Sequence, residues 1–248
     1  MTGAFGRTAE SIVSQLVDAG HVVHGVDLPG VPPPPDRVFG SSSQLDVADL
    51  EALAPSVTSM DVAVHLAVAV GAGDYLSPDT PFRTNVQGTY AVLEAARRAG
   101  VGRVILIGSA PVHLPTGDVP VDPRSRLPCD SGADFLYDVT KSLQEELGRQ
   151  FAETHGLTVL NLRAGHVVDG AVGRDLEGRP LSELDYCRGG WVCRHDLARA
   201  VVAALSWEGT GYEAFHVIGS RAARERFDVG KTERELGIGL KADFSDFA

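Results

Sequence analysis

Residues 2–9 read Thr2-Gly3-Ala4-Phe5-Gly6-Arg7-Thr8-Ala9 and open a helix. Gly3 and Gly6 let the backbone turn tightly and let a phosphate approach its N–H groups, and the positive end of the following helix favours an anion. The spacing, G-x-x-G-x-x-A, departs from the G-x-G-x-x-G dinucleotide fingerprint and alone describes only a glycine-rich turn. Asp27 adds support. It ends the apolar run Val22–Asp27 (VVHGVD), about 20 residues further on, where a carboxylate accepts hydrogen bonds from an adenosine ribose. A 2′-phosphate there would face a negative charge, so NAD is favoured over NADP, with Arg7 leaving some room for NADP.

Outward from this turn the chain alternates strand and helix. Val22–Asp27, Asp61–Leu66 (DVAVHL), Arg103–Ser109 (RVILIGS) and Leu157–Arg163 (LTVLNLR) are apolar runs of strand length. Such runs suit parallel strands buried on both faces. Between them we expect helices over Ala9–Ala19, over Pro81–Ala99 with Thr80 as cap and Gly100 as stop, and over Asp134–Thr154. Pro29–Ser43 (PGVPPPPDRVFGSSS) and residues 110–133 read as loops. Beyond Ala164 the pattern is less regular: a loop over 169–190, a short strand at Trp191–Arg194, a helix over Asp196–Trp207 and a strand at Ala214–Ile218.

The expected fold is a doubly wound parallel α/β sheet. Residues 1–165 form the dinucleotide-binding part and 166–248 a small substrate region. One strand is missing from this picture. A phosphate turn follows a first, central strand, and this sequence opens at the turn itself. Either it starts at an internal methionine, which we prefer, or something else fills the slot. An open slot would leave buried backbone groups unpaired at about 1–3 kcal/mol each.

Composition narrows the function. With 22 basic and 33 acidic residues the net charge is −11, which disfavours a nucleic-acid partner. No apolar run reaches the roughly 18–20 residues of a membrane span. The N-terminus lacks the layout of a signal peptide. Cys129, Cys187 and Cys193 have no CxxC spacing, so we expect no metal site, no disulfide framework and a reducing cytoplasm.

The chemistry concentrates in Tyr137-Asp138-Val139-Thr140-Lys141. Tyrosine and lysine four residues apart lie one above the other on a helix. A phenol ionising near 10 must drop by roughly 3 units to exchange a proton near neutrality, and an ammonium neighbour stabilises the phenolate. Ser109 ends the RVILIGS strand, where ligands collect in open parallel sheets, and its hydroxyl suits the substrate oxygen.

At this point the chain resembles the extended short-chain dehydrogenase/reductases, the NAD-dependent epimerase/dehydratase family. The resemblance rests on TGAFGRTA, Asp27, Leu45-Asp46-Val47, His65-Leu66-Ala67, Asn85-Val86-Gln87-Gly88-Thr89, Ile107-Gly108-Ser109-Ala110, Tyr137 with Lys141, and Leu162-Arg163-Ala164-Gly165, in family order. It implies Ser109, Tyr137 and Lys141 as catalytic residues, with Lys141 also on the nicotinamide ribose. It implies Asp46 and Val47 at the adenine and Leu66 and Ala67 alongside the cofactor. Gly3, Phe5, Gly6, Asp27, Leu28 and Asn85 complete the expected cofactor site. Ala9 for a glycine, Arg7 for an apolar residue and His113 for a tyrosine depart from the family pattern.

The short remainder after Arg163 and the tail ARERFDVGKTERELGIGL are similar to the uronate dehydrogenase branch. Candidate substrate contacts are Ser109, residues 68–75, His113, His166 and Arg174, the last suited to a carboxylate. The helix Asp196 opens is expected to be capped by that residue. The family also implies a homodimer through the two long helices. The leading expectation is a dehydrogenase acting on a small, sugar-acid-like hydroxyl or carbonyl compound. Alternatives are an epimerase or dehydratase, and a dinucleotide-binding sensor without turnover.

Overall fold

The computed structural model describes residues 1–70, 75–113, 122–123, 134–184, 190–242 and 244–245. In chain order the strands are β1 (His24–Asp27), β2 (Ser41–Gln44), β3 (Val62–His65), β4 (Arg103–Ser109), β5 (Thr158–Ala164), β6 (His166–Asp169), β7 (Arg174–Asp175), β8 (Trp191–Cys193) and β9 (Tyr212–Val217). The helices are α1 (Arg7–Asp18), α2 (Leu50–Val57), α3 (Asp79–Pro81), α4 (Gly88–Ala99), α5 (Phe135–His155), α6 (Arg194–Leu205), α7 (Arg221–Arg224) and α8 (Gly230–Glu235). None among the described residues is long and apolar enough to cross a membrane.

The strands β3-β4-β5-β9 pair in parallel, and β1-β2 form a second parallel pair. Met1 and Thr2 lie between the two groups. Thr2 bridges Val26 on one side and His65 on the other, both in parallel sense. The N–H of Val26 donates to the Met1 carbonyl (2.8 Å), and Thr2 N–H to the Val64 carbonyl (3.0 Å). The slot expected to lack a strand therefore carries two residues of one, at the level of the strand ends that border the glycine turn. The order β2-β1-(Met1–Thr2)-β3-β4-β5-β9 reverses direction at that turn, the switch point where open α/β sheets take ligands.

Both faces of the sheet are covered. Ile12, Val13 and Leu16 of α1 and Leu197 and Val201 of α6 pack on Ile105, Leu160 and Phe215. On the other face, Leu53 of α2, Val92 and Leu93 of α4 and Phe151 of α5 pack on Val104, Leu106 and Val159. Consecutive β4 residues thus enter opposite cores, which is why RVILIGS is apolar without alternation. Beyond Ala164, β9 joins the main sheet, and β7-β6-β8 form a small three-stranded unit beside it.

Several expectations are corrected. The expected loop Pro29–Ser43 gives way at Ser41 to β2: its side chains are largely exposed, and beside the backbone ladder the Ser41 and Ser43 hydroxyls bond the two ring nitrogens of His24 on β1. The helix α2, not foreseen, starts at Asp49, whose carboxylate accepts the Ala52 N–H. Thr80 does not cap its helix. The run begins at Asp79 behind Pro78 and continues through a π-helical segment, Phe82–Gln87, into α4. Asp196 lies inside the first turn of α6, with Cys193 at the cap position, and one of its oxygens instead accepts the N–H groups of Lys241 (2.9 Å) and Ala242 (3.0 Å). Much of the 110–133 loop, with Cys129, lies outside the described residues, as does Cys187; Cys193 is buried with its thiol free.

Two buried polar groups tie helices to sheet. Arg163 on β5, 1% exposed, is paired with Glu145 of α5, which also accepts from Asn161 Nδ2 (2.8 Å). His65 on β3, fully buried, lies between Thr2 Oγ1 (Nδ1, 2.7 Å) and Thr89 Oγ1 of α4 (Nε2, 3.0 Å). Thr89 donates its own hydroxyl hydrogen to the Asn85 carbonyl (2.6 Å), so its oxygen accepts from His65 Nε2–H and His65 Nδ1 accepts from Thr2. That tautomer is neutral. Burial, reinforced by the charge of Lys141, pushes the imidazole down to about 3.

Between pH 6.5 and about 3 the unfolded chain binds a proton that folded His65 does not, so stability is full above pH 6.5 and falls toward about 3. Urea unfolding of wild type against His65→Gln between pH 7 and 5 should show the wild type losing stability more steeply, by up to ~1.4 kcal/mol per pH unit. Glu145→Ala strands the Arg163 guanidinium in the core and should lower the unfolding free energy by about 3–5 kcal/mol in the same assay.

Candidate active site

The glycine turn is held from three sides. Gly3 has φ +65°, and a Cβ there would stand 2.7 Å from Ala67 N and 2.9 Å from the Leu66 carbonyl carbon, so both its dihedral and its surroundings require glycine. Asp27 accepts the Phe5 N–H on Oδ2 (2.8 Å) and the Leu28 N–H on Oδ1 (2.9 Å). Arg37 reaches back from the proline-rich loop and donates through Nη1 to the carbonyls of Ala4 and Gly6, both at 2.8 Å. The twelve residues of α1 then start at Arg7, directly above the turn.

Ser109 stands at the carboxyl end of β4. Tyr137 lies in the first turn of α5, whose cap, Asp134, accepts the Tyr137 N–H on Oδ1 (3.1 Å) and the Tyr75 hydroxyl on Oδ2 (2.5 Å). Lys141 follows one turn later. The Ser109 hydroxyl bonds the phenol and pulls its pKa down, but burial outweighs that, Asp138 and Asp134 add to it, and the phenol stays above its ordinary value. The expectation that Lys141 acidifies Tyr137 is therefore not met in this state. The ammonium is turned elsewhere: it donates to the Ile107 carbonyl (2.7 Å) and to Gln144 Oε1. Burial holds Lys141 down at about 7, against the opposing pull of Glu145.

One cavity of about 910 Å³ joins these parts. Ser109, Tyr137 and Lys141 line it at one end, Asp27, Leu28 and Val47 at the other, and Gly3, Gly6, Leu66 and Ala67 lie between. His166 also lines it. Other expected residues stay out of the lining. Phe5 turns its ring onto Phe39 and contributes its N–H to Asp27. Asp46 is paired with Arg83 (2.7 Å). Asn85, fully buried, braces the backbone of Ala69 and bonds Thr140 Oγ1 (2.9 Å) from behind the wall. Arg174 donates to the Gly178 carbonyl (2.6 Å) and does not reach the cavity. The His113 side chain and residues 71–74 lie outside the described residues; Val68 and Val70, from the same loop, line the cavity.

Sequence reading missed Glu177. It lines the cavity and pairs with Arg7 (2.6 Å), linking the β7 turn to the start of α1. Asp175 shapes that turn by accepting the N–H groups of Glu177 (2.9 Å) and Arg179 (2.8 Å). Asp134 and Asp138 were also overlooked as lining residues, although their places beside Tyr137 were visible.

The model of the NAD dependent epimerase/dehydratase family matches residues 1–175. An L-arabinose 1-dehydrogenase (NAD(P)(+)) of Haloferax volcanii is 32% identical, over 83% of this chain and 82% of that one. The uronate dehydrogenase of Agrobacterium tumefaciens shares the fold with a TM-score of 0.77 at 21% identity, covering 99% of this chain and 85% of its own. So does a dTDP-glucose 4,6-dehydratase of Streptomyces venezuelae solved with NAD bound, with a TM-score of 0.78 at 22% identity, covering 99% and 92%. A glycine turn, a strand-end aspartate and a Ser/Tyr/Lys group on one cavity thus come with a match over most of the sequence, and the chain is an enzyme belonging to the NAD dependent epimerase/dehydratase family.

Proposed function

We propose that the protein is an NAD-dependent dehydrogenase acting on a small sugar or sugar acid. The observation that carries this is the single cavity: Ser109, Tyr137 and Lys141 share it with the glycine turn and Asp27. Its size suits a dinucleotide and a small substrate together, as cofactor sites run to about 1,000 Å³. The residues present fit NAD. Asp27 keeps a carboxylate at the ribose end, and Arg37, the cation beside it, is committed to the Ala4 and Gly6 carbonyls. A 2′-phosphate would meet the former without the help of the latter. The start of α1 faces the middle of the cavity, where a diphosphate would lie.

NAD, when bound, accepts or returns the hydride. The chain supplies the rest. Ser109 orients the substrate oxygen by hydrogen bonding, and Tyr137 exchanges its proton. Lys141 holds the nicotinamide ribose and adds positive charge near the phenol. Because burial keeps Tyr137 protonated in this state, its acidification falls to charges that enter with the ligands. Residues 1–165 carry the cofactor, and 166–248 complete the cavity through His166 and the β7 turn. A cytoplasmic location and a homodimer through the outer faces of α4 and α5, where Tyr90 and Leu143 are exposed, belong to the same reading.

Incubation with NAD and a panel of pentoses, hexoses and uronic acids should produce NADH absorbance with at least one of them. Silence across the panel from a protein that binds NAD would end the dehydrogenase reading. Tyr137→Phe should cut turnover by at least about a hundredfold while leaving the NAD Kd within about twofold. Sedimentation equilibrium should give twice the chain mass; a monomer at micromolar concentration removes the dimer.

A further inference from the structure

Lys141 is 5% exposed and Gln144, on the next turn of α5, is 1% exposed. The ammonium has three hydrogens. One goes to the Ile107 carbonyl on β4 (2.7 Å) and one to Gln144 Oε1. The amide of Gln144 has only one usable orientation. Its other end faces Thr89 Oγ1 (3.1 Å), and the Thr89 hydrogen is already committed to the Asn85 carbonyl, so that oxygen can only accept. Gln144 must therefore present Nε2 to Thr89 and Oε1 to Lys141. Thr89 is fixed in turn by His65, and His65 by Thr2 at the foot of the glycine turn. A continuous buried line runs from the cofactor turn to the lysine, with each donor matched to an acceptor.

We propose that Gln144 is a positioning residue for Lys141: its side-chain carbonyl and the Ile107 carbonyl take two ammonium hydrogens and leave the third aimed into the cavity. The proposal rests on the dehydrogenase reading for its consequence, since the third hydrogen is the one available to ribose and phenol. Its physical content does not depend on turnover. A buried ammonium is tolerable only while acceptors surround it, and Gln144 is one of the two it has among the described residues. Of the titratable groups on the elements packed around it, Glu145 of α5 pulls on the ammonium and neutral His65 of β3 feels its charge; protonated Tyr137 and Asp138 stand one turn before on α5, and Arg163 of β5 is bound to Glu145. From α4 and β4 come the uncharged Thr89 and the Ile107 carbonyl.

The sequence has three lysines, Lys141, Lys231 and Lys241, so lysine-labelled NMR can follow each one in the cofactor-free protein. Lys141→Met identifies the resonance. In wild type Lys141 should titrate at about 7. Gln144→Met keeps the volume and removes the acceptor, and should lower that midpoint by about one pH unit; Gln144→Glu should raise it by at least as much. The alkaline limb of kcat should move in the same two directions. A Lys141 titration that overlays wild type in Gln144→Met overturns the proposal, as does a shift of the same sign in both variants. If Gln144→Met does not fold, the sign of the Gln144→Glu shift decides alone. Wild type without turnover on any sugar sinks the dehydrogenase reading and leaves the titration result standing; turnover with an unmoved lysine sinks only the role of Gln144.

Discussion

The close approach of Gly3 to the Leu66–Ala67 backbone is the contact on which the rest of the site depends. It brings the end of β3 against the turn, while the Asp27 carboxylate, holding Phe5 and Leu28, brings in the end of β1. Parallel strands that separate on either side of a switch point leave a crevice by topology alone. Here that crevice gets a floor made of backbone, because any side chain at position 3 would fill the space. Arg37 and the Met1–Thr2 bridge then brace the turn from behind.

The second organising constraint is desolvation. His65, Asn85, Thr89 and Gln144 are all buried behind the cavity wall, and Lys141, nearly buried, is part of it. Polar groups in such a place persist only as a matched set. The result is a set of locked side chains, with the Tyr137 phenol held above its ordinary pKa and the Lys141 ammonium brought down to about 7. Both groups are held at proton affinities from which an arriving charge can move them. That suits a site whose partners bring charge with them.

What the sequence made legible follows the same physics. RVILIGS was readable to the residue because a strand buried on both faces leaves an unbroken apolar run. Ser109, Tyr137 and Lys141 were readable because their spacing reflects one strand end and one helical turn. Ser41–Gln44 was not, because its ordering comes from β1 and its side chains carry no periodic signal. The role of Asp196 was misjudged because its partners, Lys241 and Ala242, lie far along the chain. The pairing of Arg7 with Glu177 is hidden for the same reason, and so is Arg37, which sits in a proline-rich stretch. Gln144 was in plain view beside Lys141, but only the positions of Thr89 and His65 show which way its amide must face.

The polar strand β2 has one more consequence. It sits at the rim of the sheet with β1 as its strand partner, and its sequence is three serines and a glutamine. Rim strands invite foreign chains to add on, and the invitation is strongest when apolar side chains reward the newcomer. An intruder at β2 would find backbone hydrogen bonds and almost no greasy surface to cover. The sheet has an end there whose composition discourages aggregation.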